Sequence, residues 1–171
     1  AMRFVVAHAQ DLGLDPKRLG AGGGSAGGHL AMSLSTVKAG ELIPPAAHAT
    51  LDAEFRPAAL VLFNPVYDNG PEGYGHERVG ERYFDFSPAH NLHADMPPTL
   101  VMLGDQDNLI PVSTAEKVRN DMAALGVRSD LIIYPDQGHG FFNNEETGMY
   151  PATEQAMDHF LVSLGWLDPS P

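Results

Sequence analysis

Four short apolar runs, each followed by a glycine, proline or asparagine, limit the folds open to this chain. The runs occupy residues 18–21, 58–63, 99–103 and 130–134. Such runs are typical of strands that are buried on both faces of a parallel sheet. Segments with apolar residues at helical spacing lie around them, at residues 1–12, 25–37, 114–125 and 152–164. The alternation predicts an α/β fold, with a parallel sheet of about four strands flanked by helices.

The length of the chain fits one domain. With 43% hydrophobic residues, residues 1–171 are expected to bury a continuous core. Two connections are unusually long, residues 38–57 and residues 66–98. The second, called the excursion below, holds five aromatic residues and is predicted to lie on the pocket side of the sheet. Functional groups in such sheets gather at the carboxyl ends of the strands.

Charge and composition exclude several classes of partner. The chain has 22 acidic residues against 10 lysines and arginines, a net charge of -12, which opposes binding to nucleic acid or to anionic membranes. The absence of cysteine excludes disulfides and thiolate metal sites. No apolar run is long enough to span a membrane, and the first residues lack a signal-peptide pattern. We expect a soluble chain, and its compartment is not identified.

Two glycine patterns overlap in residues 21–31, which read AGGGSAGGHLA. Residues 23–27 fit G-x-S-x-G, a turn that exposes Ser25 as a nucleophile and places the backbone N–H of Ala26 where it can donate to an oxyanion. Residues 22–27 also fit the dinucleotide pattern G-x-G-x-x-G. Taken alone, the stretch favours neither. A Walker-type phosphate loop fails, because Gly28 and His29 stand where Lys and Ser or Thr are required.

Later strand ends favour the nucleophile. The dinucleotide pattern needs an acidic residue about 20 positions on, at the end of the next strand, but Glu41 lies at that distance and follows no predicted strand. By contrast, Asp105 and Asp107 follow the third predicted strand and His139 follows the fourth. Serine, aspartate and histidine therefore occur at strand ends in the order found in α/β-hydrolases. A nucleotide-binding α/β domain stays open as the less favoured alternative.

Residues 23–31, 104–111 and 138–141 together resemble the α/β-hydrolase esterase/lipase family that includes acetyl esterases and hormone-sensitive-lipase-like enzymes. The resemblance extends back to residues 14–18, the lead-in to the serine. It covers nearly the whole chain. It implies a serine carboxylester hydrolase for small acyl esters, acetylated carbohydrates included, that works through an acyl-enzyme without metal or organic cofactor.

The same resemblance assigns roles to individual residues. Ser25 matches the family's nucleophile and His139 its general base. Asp107 matches the acid that orients the histidine, with Asp105 in reserve. The backbone N–H of Ala26 would supply one oxyanion donor. The partner implied is a small-molecule ester.

Two features depart from the family pattern. Lipase-like members commonly have Asp before the nucleophile, where this chain has Gly24. Members also carry a longer preceding segment, with early strands and a His-Gly-Gly-Gly loop that completes the oxyanion hole. We therefore expect a C-terminal portion with an open sheet edge, which would form a homo-oligomer or associate with the missing segment. The alternative is a fragment that is catalytically incomplete alone.

Other residues carry weaker signals. Tyr67, Phe141 and Phe142 are candidates for the substrate pocket, and ordinary core packing is an equal alternative. His90 and His93 have the spacing of a metal clip, but without a third ligand at suitable spacing the loop surface is the better interpretation. No metal site is predicted.

Overall fold

The computed structural model of the chain describes residues 2–36, 56–143 and 148–169. Its strands are β1 Gly20–Gly24, β2 Ala59–Phe63, β3 Thr99–Gly104 and β4 Ser129–Tyr134. Its α-helices are α1 Met2–Ala7, α2 Ala26–Thr36, α3 His76–Val79, α4 Val112–Ala124 and α5 Tyr150–Ser163. Two short 3-10 helices, Gly80–Asp85 and Pro88–His90, complete the excursion.

The four strands form one parallel sheet in the order β1-β2-β3-β4. The predicted fold class is therefore confirmed. Because neighbouring strands pair in register, with Gly24 opposite Phe63 and Phe63 opposite Met102, their carboxyl ends lie along one edge of the sheet. The residues that follow these strands are thereby brought together.

The strands are apolar on both sides because both faces of the sheet are covered. Leu60 and Leu62 of β2 pack into a core with residues of α2 and α4. Ala59 of β2 belongs to the core on the opposite face, with Phe160 of α5. This alternation follows from the two-residue period of a strand, and it produces a helix–sheet–helix sandwich.

The largest error in the predicted strands concerns β1, expected at residues 18–21 and found at Gly20–Gly24. Glycine weakens a strand by its flexibility, but pairing with β2 overrides that preference. Close approach also favours glycine, since a Cβ at Gly22 would lie 2.7 Å from the carbonyl oxygen of Val61. The strand therefore continues up to the serine.

The helices also differ from the predicted bounds. Helix α1 ends at Ala7, earlier than the expected residue 12, and the chain continues in turns to Gly13, which has a φ of 67°. Helix α4 begins directly after Pro111, earlier than the expected residue 114. Most of the predicted connection 38–57 lies outside the described residues. No helix in the described ranges is long and apolar enough to cross a bilayer.

Candidate active site

Ser25 lies in the turn between β1 and α2, at the carboxyl edge of the sheet. Its φ of 53° lies in the left-handed region, which is strained for a residue other than glycine. The strand end of β2 holds this turn: the N–H of Ser25 donates to the carbonyl of Phe63 (2.9 Å), and the N–H of Val66 donates to the carbonyl of Ser25 (3.2 Å). The side chain is thereby presented beyond the end of β1.

Glycines around Ser25 leave room for this turn. A Cβ at Gly23 would lie 2.6 Å from the carbonyl carbon of Gly27, and one at Gly28 would lie 2.7 Å from Cβ of Pro65. At Gly24 a Cβ would overlap the ring of Phe142. Phe142 therefore occupies the space that a side chain at position 24 would need.

Asp107 lies in the loop after β3, and its side chain is fully buried. Its Oδ1 accepts the N–H groups of Leu109 (2.8 Å) and Ile110 (3.0 Å). Its Oδ2 lies 2.8 Å from Nδ1 of His139. Both oxygens are therefore engaged, one by the backbone of its own loop and one by the histidine.

The loop that carries His139 is held against the loop after β3. The N–H of Gln106 donates to the carbonyl of Gln137 (2.9 Å), and the N–H of Asp136 donates to Oδ1 of Asp105 (2.8 Å). Asp105 therefore supports the turn before His139, while Asp107 meets the imidazole ring. Of the two candidate acids, the structure brings only Asp107 to the histidine.

The imidazole of His139 links the serine and the aspartate. Its Nε2 lies 2.9 Å from Oγ of Ser25, and its side chain is 23% exposed. Because the carboxylate of Asp107 can only accept, Nδ1 carries the proton and Nε2 is left to accept the hydroxyl hydrogen of Ser25. This arrangement can move a proton from the serine to the histidine as the serine oxygen attacks a carbonyl carbon.

Ala26 begins α2, so its N–H is among the first backbone donors of the helix, which have no intrahelical acceptor. A cavity of about 400 Å³ opens beside it. The lining residues come from α2 and from the excursion: Ala26, His29, Leu30, Val66, Asn69, Tyr74, Gly75, Arg78 and Val79. The excursion thus forms one wall of a cavity that reaches Ala26, the residue after Ser25.

His29 is the polar group on the α2 side of this cavity. Its Nδ1–H donates to the carbonyl of Val66 (3.1 Å), which ties α2 to the segment after β2. Burial lowers the pKa of His29, and this hydrogen bond opposes the effect. A lowered pKa favours the neutral imidazole at pH 7, and the side chain links α2 to the excursion.

The three pocket candidates occupy different environments. Tyr67 and Phe141 are each 1% exposed and belong to the two hydrophobic cores, and burial raises the pKa of the Tyr67 hydroxyl. Phe142 is half-buried and contacts Phe63 at 4.6 Å between ring centroids, beside Gly24. Burial favours the packing alternative for Tyr67 and Phe141, whereas Phe142 lies against Gly24, the residue before the serine.

His90 and His93 contact different partners. The hydroxyl of Ser87 hydrogen-bonds to Nδ1 of His90 (2.9 Å), and Nε2–H of His93 donates to the carbonyl of Ser35 (2.9 Å). Within the described residues, His, Asp and Glu form no group of three that could hold a metal ion.

One residue at the site was not predicted from the sequence. Asn64 directly follows β2, is fully buried, and places its Nδ2 3.1 Å from both ring nitrogens of His139. Its position at a strand end was the available signal. The dinucleotide pattern requires an acid at such a position, and the amide there does not meet the requirement.

Comparison with known proteins gives a consistent result. The model of the prolyl oligopeptidase family matches residues 2–165. The Mycobacterium tuberculosis protein described as Probable carboxylic ester hydrolase LipM is 33% identical over 132 residues, which are 67% of this chain and 30% of LipM. An acetylxylan esterase of Xylanibacter ruminicola is 28% identical over 155 residues, which are 81% of this chain and 29% of that esterase.

A solved structure is also similar. The native structure of the thermophilic esterase Est2 from Thermogutta terrifontis has a TM-score of 0.85 and 34% identity to this chain. The match covers 99% of this chain and 63% of Est2. The chain therefore spans less than two thirds of Est2 and less than one third of the two curated relatives.

Proposed function

Because the chain belongs to the prolyl oligopeptidase family of α/β-hydrolases, we propose that it carries the catalytic residues of a serine carboxylester hydrolase. The observation that carries the proposal is the continuous series of hydrogen bonds from Ser25 through His139 to Asp107, at 2.9 Å and 2.8 Å. A nucleophile, a base and an orienting acid within hydrogen-bond reach are what nucleophilic acyl transfer requires.

In the proposed reaction, Oγ of Ser25 attacks the ester carbonyl carbon and its proton passes to Nε2 of His139. The N–H of Ala26 faces the oxygen that becomes negative in the tetrahedral intermediate. When the intermediate collapses, the bond to the alcohol oxygen breaks and that oxygen takes the proton from Nε2. Water then attacks the acyl-serine and gives a proton to Nε2 of His139. This proton returns to Oγ of Ser25 as the bond to the acyl group breaks and the carboxylic acid leaves.

We propose small acyl esters as the substrate class. The apolar cavity of about 400 Å³ beside Ala26 has room for a short acyl or alcohol group. One solved structure of Est2 is described as propionate bound, and one curated relative is named an acetylxylan esterase, which supports acetylated carbohydrates as a narrower class. Although the family is named for an oligopeptidase, the relatives and the solved structure compared above are named as ester hydrolases or esterases.

A strand from outside this chain is proposed to complete the sheet. β1 (Gly20–Gly24) pairs with β2 on one side, and no strand in the described ranges pairs with its other side. An open edge of this kind is a template for pairing. A further segment of the protein, or a second copy in a homo-oligomer, would cover it, and such a segment would also be placed to supply the second oxyanion donor beside Ala26.

Substitution of the serine tests the proposed function. In the complete protein, Ser25→Ala should reduce hydrolysis of p-nitrophenyl acetate by about 10⁶-fold and abolish labelling by a fluorophosphonate probe. Ser33→Ala, on the helix that follows Ser25, is a matched control, since Oγ of Ser33 is buried and has no partner in the described structure. Hydrolysis retained by Ser25→Ala would refute the assignment of the nucleophile.

The same assays separate the two alternatives. A chain of residues 1–171 that neither hydrolyses esters nor reacts with the fluorophosphonate, while the complete protein does both, would support a catalytically incomplete chain. Saturable binding of NAD or ATP would support the nucleotide-binding alternative.

A further inference from the structure

We propose that Asn64 is a positioning residue that holds the plane of the His139 ring, an inference that rests on the proposed function of His139 as the base. Asn64 follows β2 directly and is fully buried. Its amide reaches the ring across 75 residues of sequence.

The distances place the amide of Asn64 against the face of the imidazole. Nδ2 lies 3.1 Å from Nδ1 and 3.1 Å from Nε2 of His139. Because Nδ2 is equally far from Nδ1 and Nε2, it lies on the plane that bisects the line between these two atoms and passes through Cε1. If Nδ2 also lay in the plane of the ring, its distance of 3.1 Å from both nitrogens would make it overlap with Cε1 or with the ring itself. The amide nitrogen therefore lies over the face of the ring.

The in-plane positions of the two ring nitrogens are already occupied. Nδ1 donates to Asp107 and Nε2 accepts from Ser25. The N–H and the lone pair of an imidazole, which make such bonds, lie in the ring plane. These two contacts leave the ring free to tilt about the line that joins the partners. A group packed against the face of His139 opposes that tilt, and Asn64 is the described residue whose amide lies there.

Asn64 keeps this contact under unfavourable local conditions. Its φ of 32° is in the left-handed region, which asparagine tolerates better than most residues. Its Oδ1 is buried without a hydrogen-bond donor among the described residues. Strain and an unsatisfied buried oxygen both cost free energy. Strained residues concentrate at functional sites, where the surrounding structure holds them in place.

The segment that carries Asn64 also holds the nucleophile. The carbonyl of Phe63 accepts the N–H of Ser25 (2.9 Å), and the N–H of Val66 donates to the carbonyl of Ser25 (3.2 Å). Pro65 packs closely on Gly28 of α2, since a Cβ added at Gly28 would lie 2.7 Å from the Cβ of Pro65. Four consecutive residues therefore position the serine through the backbone and the histidine through a side chain.

Asn64→Gly tests the proposal because glycine accepts the left-handed backbone and removes the amide. We expect kcat for p-nitrophenyl acetate to fall by about 100-fold, the cost of a misplacement near 1 Å, with KM changed less than about twofold. Asn64→Asp keeps a planar group of the same shape and should retain more of kcat than Asn64→Gly. Asn91→Gly, which removes an amide bonded to Phe84 and Ser87 on the excursion, should leave kcat unchanged.

A second readout follows the ring without requiring turnover. The Nδ1–H proton between His139 and Asp107 should give a low-field proton NMR signal, which broadens in Asn64→Gly because a tilting ring exposes this proton to water. A loss of stability alone would not broaden the signal in folded protein. If Asn64→Gly does not fold, Asn64→Ser, whose side chain is too short to reach the ring, replaces it.

The outcomes separate this inference from the proposed function. Wild-type kcat and an unchanged Nδ1–H signal in Asn64→Gly would overturn the positioning role, and so would a loss that lies entirely in KM. Hydrolysis retained by Ser25→Ala would instead refute the proposed reaction, while the NMR signal would still report on the contact between Asn64 and His139.

Discussion

We expect Asp107→Asn to abolish most of the activity while preserving the fold. The buried carboxylate accepts three hydrogen bonds, two from the backbone N–H groups of Leu109 and Ile110 and one from Nδ1–H of His139. An asparagine has the same shape but only one accepting oxygen. The amide must therefore choose between the backbone donors and the histidine.

The balance of hydrogen bonds decides this choice. If the amide oxygen faces His139, its NH2 group meets the two backbone donors, and each unpaired buried donor costs about 1–3 kcal/mol. If the oxygen faces the backbone, only the bond to the histidine changes, so this orientation is favoured. The NH2 group then donates to Nδ1, the ring proton moves to Nε2, and Ser25 loses its base. The wrong tautomer costs about 10⁴-fold in kcat, or about 5 kcal/mol.

Steady-state kinetics with p-nitrophenyl acetate measures the loss of kcat, and urea denaturation measures the change in the free energy of unfolding. Because both backbone hydrogen bonds are kept, we expect the free energy of unfolding to fall by only about 1–2 kcal/mol. Asp105→Asn is the matched control, since its remaining oxygen can still accept the N–H of Asp136. A kcat for Asp107→Asn within about tenfold of wild type, or an equal loss in Asp105→Asn, would refute the reasoning.

Three further predictions concern the surroundings of the site. Gly23→Ala should lower the free energy of unfolding by about 1–3 kcal/mol, because its Cβ would meet the backbone of Gly27. Gly27→Ala has open space around its Cβ, so it should raise the free energy of unfolding by up to about 1 kcal/mol. Urea denaturation measures both. Because burial lowers the pKa of His29, the imidazole binds a proton more tightly in the unfolded chain than in the folded chain. The free energy of unfolding should therefore fall as the pH drops below 6.5, and it should fall less in His29→Gln. Phe141→Ala should cost about 3–5 kcal/mol of stability, whereas Phe142→Ala, beside Gly24, should mainly change KM; equal stability losses would contradict the different placements of the two rings.

The strand pattern predicted most of the fold because strands that are buried on both faces of the sheet appear in the sequence as continuous apolar runs. β2, β3 and β4 lie within one residue of the predicted bounds. β1 was placed too early, since glycine carries no side chain to report burial, and only pairing with β2 extends it to Gly24. The resemblance to α/β-hydrolase esterases is confirmed by the family match and by the Est2 structure.

The site could be predicted where chemistry depends on residue type at a strand end. Ser25 and His139 were selected in that way, whereas Asp107 was preferred over Asp105 because of the resemblance to the esterase family. The structure brings the side chains of Ser25, Asp107 and His139 together. Asn64 was missed because an amide against an imidazole face depends on a contact between distant residues, which no local pattern encodes. The environment of Phe141 depends on its packing against Tyr134 in the core, again a nonlocal property.

Backbone strain in the described structure collects at the carboxyl edge of the sheet. The non-glycine residues there with positive φ are Ser25 (53°), Asn64 (32°) and Asp136 (59°). The first is the proposed nucleophile, the second contacts the ring of His139, and the third lies in the turn that precedes it. In each of them the N–H donates to a group at or directly after the end of a neighbouring strand. Ser25 donates to the carbonyl of Phe63, Asn64 to the carbonyl of Met102 (2.8 Å), and Asp136 to the carboxylate of Asp105.

The sheet can impose these conformations because its parallel strands end side by side, so each strained residue has a rigid neighbour that accepts its N–H. A loop without such neighbours would relax, and the bond from Ser25 to His139 would lengthen. This accounts for a chain in which the buried strands and the site depend on each other. The apolar runs that build the sheet also provide the carbonyl groups of Phe63 and Met102, which hold the serine and the asparagine. The carboxylate of Asp105, directly after β3, holds the turn before the histidine.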